Sequence, residues 1–228
     1  MYKNKTVTIV LPAYNEAATI SGFIKDLKKL NIFDEIIAVD NCSTDETKSE
    51  ILKNSVTYSH ETNQGFGAAL KNGLNLVKTD LTIVCEPDGS FDAKDTIKLL
   101  EQSDYFDTVF TSRTDNEMSF YLKYGNIIYA KVLSFLFNGP KLKDVGSSFR
   151  LFKNNDYLKF KKSLKYDGPE FQLELTINIL RLSLKIIEIP VNYKKRIGKS
   201  NYTGTFYDSL KVVTKFTKVV IRKILRFE

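Results

Sequence analysis

Glu86 and Asp88 flank Pro87 directly after an apolar run at residues 81–85, and this pair is the sharpest chemical feature of the chain. Side chains two apart in an extended segment point to the same side. Proline fixes its own φ and keeps the residue before it extended. Two carboxylates held this way can grip a hard divalent cation that also binds phosphate oxygens. Such a cation stabilises negative charge building on a departing diphosphate. The same stretch also spells Pro-Asp-Gly, an ordinary turn sequence. Two further sets of polar residues follow apolar runs, Tyr14-Asn15-Glu16 and Asp40-Asn41. Asp40 can read a base imide or a ribose hydroxyl, or simply end a strand ahead of a capped helix.

Asn63-Gln-Gly-Phe-Gly-Ala-Ala69 opens a helix with two glycines. Amides at a helix start can meet a phosphate or a sugar hydroxyl, and a tight strand-to-helix turn is the plain alternative. The segment is neither a dinucleotide fingerprint nor a P-loop, because no Gly-Lys-Ser/Thr follows. His60 is the only histidine and reads as a structural residue at a strand end; a zinc site needs more such ligands. Arg113, Arg150 and Arg196 are surface residues unless a phosphate recruits them. Cys42 and Cys85 lack CxxC spacing and end apolar runs, which suits buried free thiols in a reducing compartment.

The elements that must position these groups alternate along the first half. Apolar runs at 6–11, 35–39, 56–59, 81–85 and 108–111 read as strands. Between them, helical spacing begins at Ile20, Phe23, Ile24 and Leu27, and recurs at 67–77 and 96–101. Ser43-Thr44-Asp45-Glu46 reads as a capping box for a helix reaching Asn54. This alternation predicts a mostly parallel sheet with helices on both faces. Ligands then bind beyond the carboxyl ends of the strands, where the three polar sets gather. The second half predicts a helix at 121–137, a strand at 148–152, a buried helix at 170–184 and a strand at 185–193. Pro190 makes that last strand an edge or a bulge.

At 228 residues and 43% hydrophobic, the chain suits one large domain. Net charge is +7, yet residues 190–228 alone hold ten Lys or Arg against two acids, while the rest hold 24 against 25. Basicity confined to one end excludes a generally nucleic-acid-coating surface. The opening residues lead straight into a strand and form no signal peptide. The longest apolar stretch, 127–137, is broken by Lys131 and falls short of the ~20 residues a span requires. A soluble or peripheral cytoplasmic protein is the expectation. A final helix at 205–227 carries Phe206, Leu210, Val213, Phe216, Val220, Ile224 and Phe227 on one stripe. Lys211, Lys215, Lys218, Arg222 and Arg226 lie outside it. That pattern suits binding in the plane of an anionic membrane, and equally a helix packed on its own domain.

Seven segments occur in one order: Leu11-Pro-Ala-Tyr-Asn-Glu16; Val39-Asp-Asn-Cys-Ser-Thr-Asp45; Asn63-Gln-Gly-Phe-Gly-Ala-Ala69 with Gly73; Glu86-Pro-Asp-Gly89; Thr111-Ser-Arg113; Asp144-Val-Gly-Ser-Ser-Phe-Arg150; and Glu188-Ile-Pro190 leading to Arg196-Ile-Gly-Lys-Ser200. The ordered set resembles the family 2 glycosyltransferases of the GT-A fold, most closely their dolichyl-phosphate mannose synthase and polyprenyl-phosphate glycosyltransferase branch. The resemblance implies the α/β nucleotide-diphospho-sugar transferase fold, a mostly parallel Rossmann-like sheet, over residues 1–204. An amphipathic helix at 205–228 would follow. It implies that Pro12, Tyr14, Glu16 and Asp40 hold the nucleoside, with Lys71 near its base or phosphates. Glu86 and Asp88 match the DxD metal motif for Mg2+ or Mn2+, with Ser90 as a third ligand. Arg113, Ser147 and Arg150 match positions on the acceptor side. Arg196 and Ser200 lie in the segment that closes over the phosphates. The family usually has Asp where Glu86 stands. Multispanning members of the branch also add transmembrane helices, a task the amphipathic helix would take over here.

The activity implied is inverting transfer of a hexose from a UDP- or GDP-sugar to a polyprenyl phosphate, undecaprenyl or dolichyl, at the membrane surface. Such an acceptor arrives ionised and needs no general base, in keeping with the lack of an active-site histidine. Transfer to a sugar hydroxyl of a cell-surface polysaccharide or lipopolysaccharide is the alternative; it needs a carboxylate base, for which Glu170 in Gly168-Pro-Glu-Phe171 is the candidate. A catalytically inactive nucleotide-sugar-binding protein is a rival of another class. A sugar-phosphate nucleotidyltransferase would carry a Gly-rich basic loop after the first strand, where Tyr14-Asn15-Glu16 stand. Donor base, hexose and oligomeric state stay open.

Overall fold

The computed structural model describes residues 1–114, 120–198 and 206–225. Among these residues seven strands form one sheet: β1 Val7–Ala13, β2 Glu35–Asp40, β3 Thr57–His60, β4 Leu81–Val84, β5 Thr108–Arg113, β6 Arg150–Lys153 and β7 Ile186–Val191. Their order is β3-β2-β1-β4-β6-β5-β7. Only β6 runs antiparallel to its neighbours, β4 and β5. The helices are α1 Ile20–Leu30, α2 Thr47–Leu52, α3 Phe66–Leu76, α4 Asp95–Gln102, α5 Phe120–Leu136, α6 Asn154–Phe160, α7 Glu170–Arg181 and α8 Phe206–Leu225.

Side chains alternate across the strands and feed two cores. Ile9 and Leu11 of β1 join α1 and α4 residues on one face, while Val10 joins α3, α7 and α8 residues on the other. Burial on both faces explains why the strands read as continuous apolar runs rather than alternating ones. From β1 the chain moves outward to β2 and β3, then returns to place β4 on the other side of β1. A crevice opens beyond the carboxyl ends at such a reversal. Glu16 follows β1 there, Asp40 ends β2, and Glu86 and Asp88 follow β4.

The structure departs from the sequence reading at several points. No capping box forms at 43–46. Ser43 and Thr44 serve the β1 loop instead: the Asn15 amide donates to Ser43 Oγ at 3.0 Å, and the Thr44 amide donates to Asn15 Oδ1 at 2.8 Å. Helix α2 therefore starts at Thr47, whose amide donates to Asp45 Oδ1 at 3.0 Å. Strand β6 starts at Arg150, two residues late; just before it the Ser147 hydroxyl is drawn to Thr111 Oγ1 at 2.6 Å. Cys85 is buried, whereas Cys42 is only half-buried and adopts a left-handed backbone, φ 59°, with Sγ 2.9 Å from the Glu61 carbonyl; both thiols are free. Strand β7 lies at the sheet edge as Pro190 demands.

Helix α7 is buried from Phe171 through Leu180, and α8 docks against it and against α5. Phe216, Val219 and Val220 enter the larger core. Lys223 Nζ reaches the fully buried Glu174 at 2.9 Å, and the Tyr129 hydroxyl of α5 donates to the Val213 carbonyl at 2.8 Å. Part of the expected stripe thus packs on the chain's own domain. Ser200, Arg226, Phe227 and the boundary at residue 204 lie outside the described residues, as do the side chains of Phe206 and Leu210. No helix among the described residues is long and apolar enough to cross a membrane.

Candidate active site

After β4 the chain turns sharply. Asp88 is buried, and its Oδ1 accepts the Ser90 amide at 3.0 Å and the Ser90 hydroxyl at 2.5 Å. Gly89 holds φ +81°, and the Ile197 side chain lies over it. Two backbone bonds strap the 194–197 segment along this turn: Lys194 N to Ser90 O at 2.9 Å and Ile197 N to Asp88 O at 3.0 Å. The strap delivers Arg196 between two carboxylates. Its Nη2 bonds Glu16 Oε1, and its Nε lies 3.7 Å from Asp88 Oδ2. That Nε is sealed from solvent and has no hydrogen-bond partner among the described residues. Glu16 is itself buried and anchored through its amide to Thr47 Oγ1 at 2.7 Å. Burial pushes its carboxyl up to about 7, an effect that Arg196 opposes and Asp88 reinforces.

Glu86 also stands at about 7, raised first by burial and then by Asp88, against the Ser148 hydrogen bond and the charges of Arg196 and Arg113. Among the described residues no three His, Cys, Asp or Glu side chains cluster as a metal cage. Two mutually repelling oxygen donors just beyond the end of β4 nevertheless fit Mg2+ or Mn2+, which bind through one or two carboxylates plus substrate phosphates. Ser90 spends its hydroxyl on Asp88, so in this state it orients that carboxylate.

Asp40 sits at the end of β2, buried. Its Oδ1 accepts the Ser43 amide at 3.0 Å, and its Oδ2 lies 3.3 Å from His60 Nδ1. His60 is thus a partner of the candidate nucleoside-binding acid. Burial, and then the nearby Asp40 carboxylate, raises the Tyr58 phenol. Pro12 is buried within β1, and Tyr14 is half-buried just beyond it. Asn41 Oδ1 accepts the Gly65 amide at 2.8 Å, and Ala68 N donates to the Asp167 carbonyl at 3.0 Å. A Cβ at Gly65 or Gly67 would strike the 166–171 segment. These glycines serve close packing, and two of the turn's amides are already committed. Lys71 pairs with Asp167 at 2.5 Å.

On the opposite side a relay fixes Arg113. Glu188 Oε1 accepts the Lys143 and Asp144 amides, each at 2.9 Å. Asp144 then grips Arg113 through Nε at 2.7 Å and Nη2 at 2.8 Å. Burial disfavours the Arg113 charge, but Asp144 more than restores it. The Tyr193 ring lies 5.2 Å away. Ser147 and Arg150 are buried; the Ser147 hydroxyl meets Thr111 Oγ1 at 2.6 Å. Arg150 gives its nitrogens to the Ser147 and Val145 carbonyls and to Thr176 Oγ1, at 2.9, 2.8 and 2.7 Å. Burial lowers its pKa to about 9. These two residues frame the 145–147 loop from behind. Glu170 begins α7, with Lys215 of α8 at 3.2 Å. Asp144, Ser148, Glu188 and Tyr193 were not singled out as site residues. The first three fall inside the ordered motifs, whereas Tyr193 carries no sequence signal.

The family described as Glycosyl transferase family 2 matches residues 8–160. Glycosyltransferase AglJ of Haloferax volcanii is 24% identical over 83% of this chain, which spans 63% of that relative's length. The UDP-N-acetylglucosamine–dolichyl-phosphate N-acetylglucosaminyltransferase of Methanococcus voltae is 26% identical, with 82% of this chain and 85% of that one covered. Among solved structures, glucosyl-3-phosphoglycerate synthase of Mycobacterium tuberculosis, in complex with Mn2+, UDP and glucosyl-3-phosphoglycerate, superposes with TM-score 0.73 at 16% identity. That match covers 95% of this chain and 80% of the synthase.

Proposed function

The chain belongs to glycosyl transferase family 2, and from that premise we propose that it transfers a hexose, with inversion, from a UDP- or GDP-sugar to a polyprenyl phosphate. The observation that carries this reading is the set of Glu16, Arg196, Asp88 and Glu86 at the β1–β4 crevice. Glu86 and Asp88 would hold Mg2+ or Mn2+, which when bound supplies positive charge against the leaving diphosphate. Arg196, already beside Asp88, is placed to turn its guanidinium onto the same phosphates. Asp40 receives the nucleoside, with Pro12 and Tyr14 beside it. Arg113, locked by Asp144, offers an oriented positive charge to an anionic acceptor.

An ionised acceptor phosphate needs no base. Transfer to a sugar hydroxyl would need Glu170 to leave Lys215 first. The dolichyl-phosphate acceptor in the Methanococcus voltae relative's name supports the lipid phosphate, and the synthase complex with Mn2+ and UDP supports metal and a nucleotide donor. The proposed setting is peripheral, at the cytoplasmic face of an anionic membrane. The test supplies UDP- and GDP-hexoses with Mg2+ or Mn2+, offers undecaprenyl phosphate or a sugar hydroxyl, and reads products by mass spectrometry. A hexosyl lipid phosphate is expected. Glycan products alone would shift the acceptor to a hydroxyl, and failure to release UDP or GDP would favour the inactive binding protein.

A further inference from the structure

Helix α5 turns one side, including Ala130 and Leu133, into the core, while its other side is left uncovered. Phe135 is 83% exposed and Ile128 60%, and Tyr124, Val132 and Leu136 join them at helical spacing. Helix α8 shows a similar division. Phe216, Val219 and Val220 dock, but Val213, Ile221, Ile224 and Leu225 remain exposed, Leu225 at 74%. The two uncovered stripes meet. A groove of about 380 Å³ runs between the helices, lined by Gly125, Ile128 and Val132 from one and Val213, Thr217 and Ile221 from the other. Its floor is held by the Tyr129 hydroxyl, 2.7 Å from Thr217 Oγ1, and by the Tyr129 ring standing edge-on to Phe216 at 5.6 Å.

Charge identifies the occupant. Lys211, Lys215, Lys218 and Arg222 recur at three- and four-residue steps, turned beyond the apolar stripe, and all are exposed. No acid lies between residues 211 and 225. Lys131 stands exposed beside the α5 stripe. A second copy of the chain would oppose like charges across such a face. An apolar strip bordered by Lys131, Lys211, Lys218 and Arg222 matches acyl chains below anionic headgroups. The face also adjoins the candidate site: Lys215 pairs with Glu170, and Arg222 Nη1 lies 3.4 Å from the Tyr166 hydroxyl, in the segment that packs on Gly65 and Gly67.

We propose that α5 and α8 together form one docking face for an anionic lipid bilayer, with Ile128, Phe135, Ile221 and Leu225 entering the acyl region and Lys131, Lys211 and Lys218 meeting headgroups. The docking itself stands on this surface alone; only its purpose, bringing Arg113 and Asp88 to a lipid phosphate, rests on the function proposed above. The test is co-sedimentation of the full chain with phosphatidylcholine vesicles, with and without phosphatidylglycerol. Binding is expected only with phosphatidylglycerol and should weaken as salt rises. Ile128→Ser with Phe135→Ser, and separately Lys211→Glu with Lys218→Glu, should each weaken it about tenfold or more. Thermal melting checks that each pair stays folded, and the charge pair carries the test if the apolar pair does not fold. Failure of the wild type to bind, undiminished binding by folded variants, or a dimer that the apolar pair dissolves would overturn the proposal. Turnover on a short, water-soluble prenyl phosphate separates the two readings. Variants that keep it but lose turnover on vesicle-borne undecaprenyl phosphate uphold docking. Vesicle binding without turnover on either acceptor upholds docking while the acceptor assignment fails.

Discussion

Asp88 divides its work between two oxygens, Oδ1 fixed by Ser90 and Oδ2 turned to Arg196. An amide in its place keeps the turn but loses the charge. Asp88→Asn should therefore lower turnover on the order of 100-fold and weaken metal-assisted donor binding, whereas Glu86→Asp should be tolerated; near-wild-type kinetics for Asp88→Asn at saturating donor would remove Asp88 from the metal site. Titration gives an independent check. Glu86 and Glu16 both stand near 7 in the folded chain against 4.5 for the ordinary group. A raised folded pKa means this stability is fully present below the ordinary value and is lost as pH rises through about 7. Metal-assisted nucleotide binding should run the other way, strengthening from about pH 6 to about pH 8 as Glu86 sheds its proton. Calorimetric titrations and melting curves over that range would show the two opposed slopes; a flat binding profile would contradict the assignment. The carboxylate pair was legible because i and i+2 spacing around proline is a local property. The Arg196 contacts were not, since they depend on a backbone strap between segments about a hundred residues apart in sequence.

At the scale of elements, α8 was legible as an amphipathic helix, but its orientation was not. Periodicity locates a stripe without saying which neighbour covers it. The deciding side chain is Lys223, which answers Glu174, an acid with no solvent exposure that also accepts the Lys165 and Tyr166 amides at 2.9 and 3.1 Å. Lys223→Met would strand that charge and should cost about 3 kcal/mol or more in chemical denaturation. Adding Glu174→Gln should recover part of the loss, and an unchanged midpoint for the single variant would show that the pair does not hold α8 down. Helix α2 teaches the converse. The residues of a capping box were present at 43–46, but Asn15 claimed Ser43 and Thr44, so a long-range bond overrode a local signal.

For the molecule as a whole, the parallel half-sheet and its crevice followed from alternating elements and acids at strand ends. The insertion of antiparallel β6 between β4 and β5 did not, because strand order depends on pairings that no local pattern encodes. The resulting sheet lets the β7 edge send Arg196 across to a turn in its middle, and this has a thermodynamic consequence. The chain's own guanidinium already answers Asp88, so a metal ion proposed for that carboxylate would have to compete with it. Nucleotide phosphates would draw the arginine away and open that carboxylate. Metal and nucleotide must then tighten each other by the same factor, as any reciprocal linkage requires. Mn2+ alone should bind weakly, bind more tightly with UDP or GDP present, and bind Arg196→Gln more tightly than the parent chain when added alone. Equal affinities for the two chains would show that arginine and ion do not compete. If they do compete, the idle protein is its own counter-ion, and donor supply rather than metal supply sets how often the site is armed.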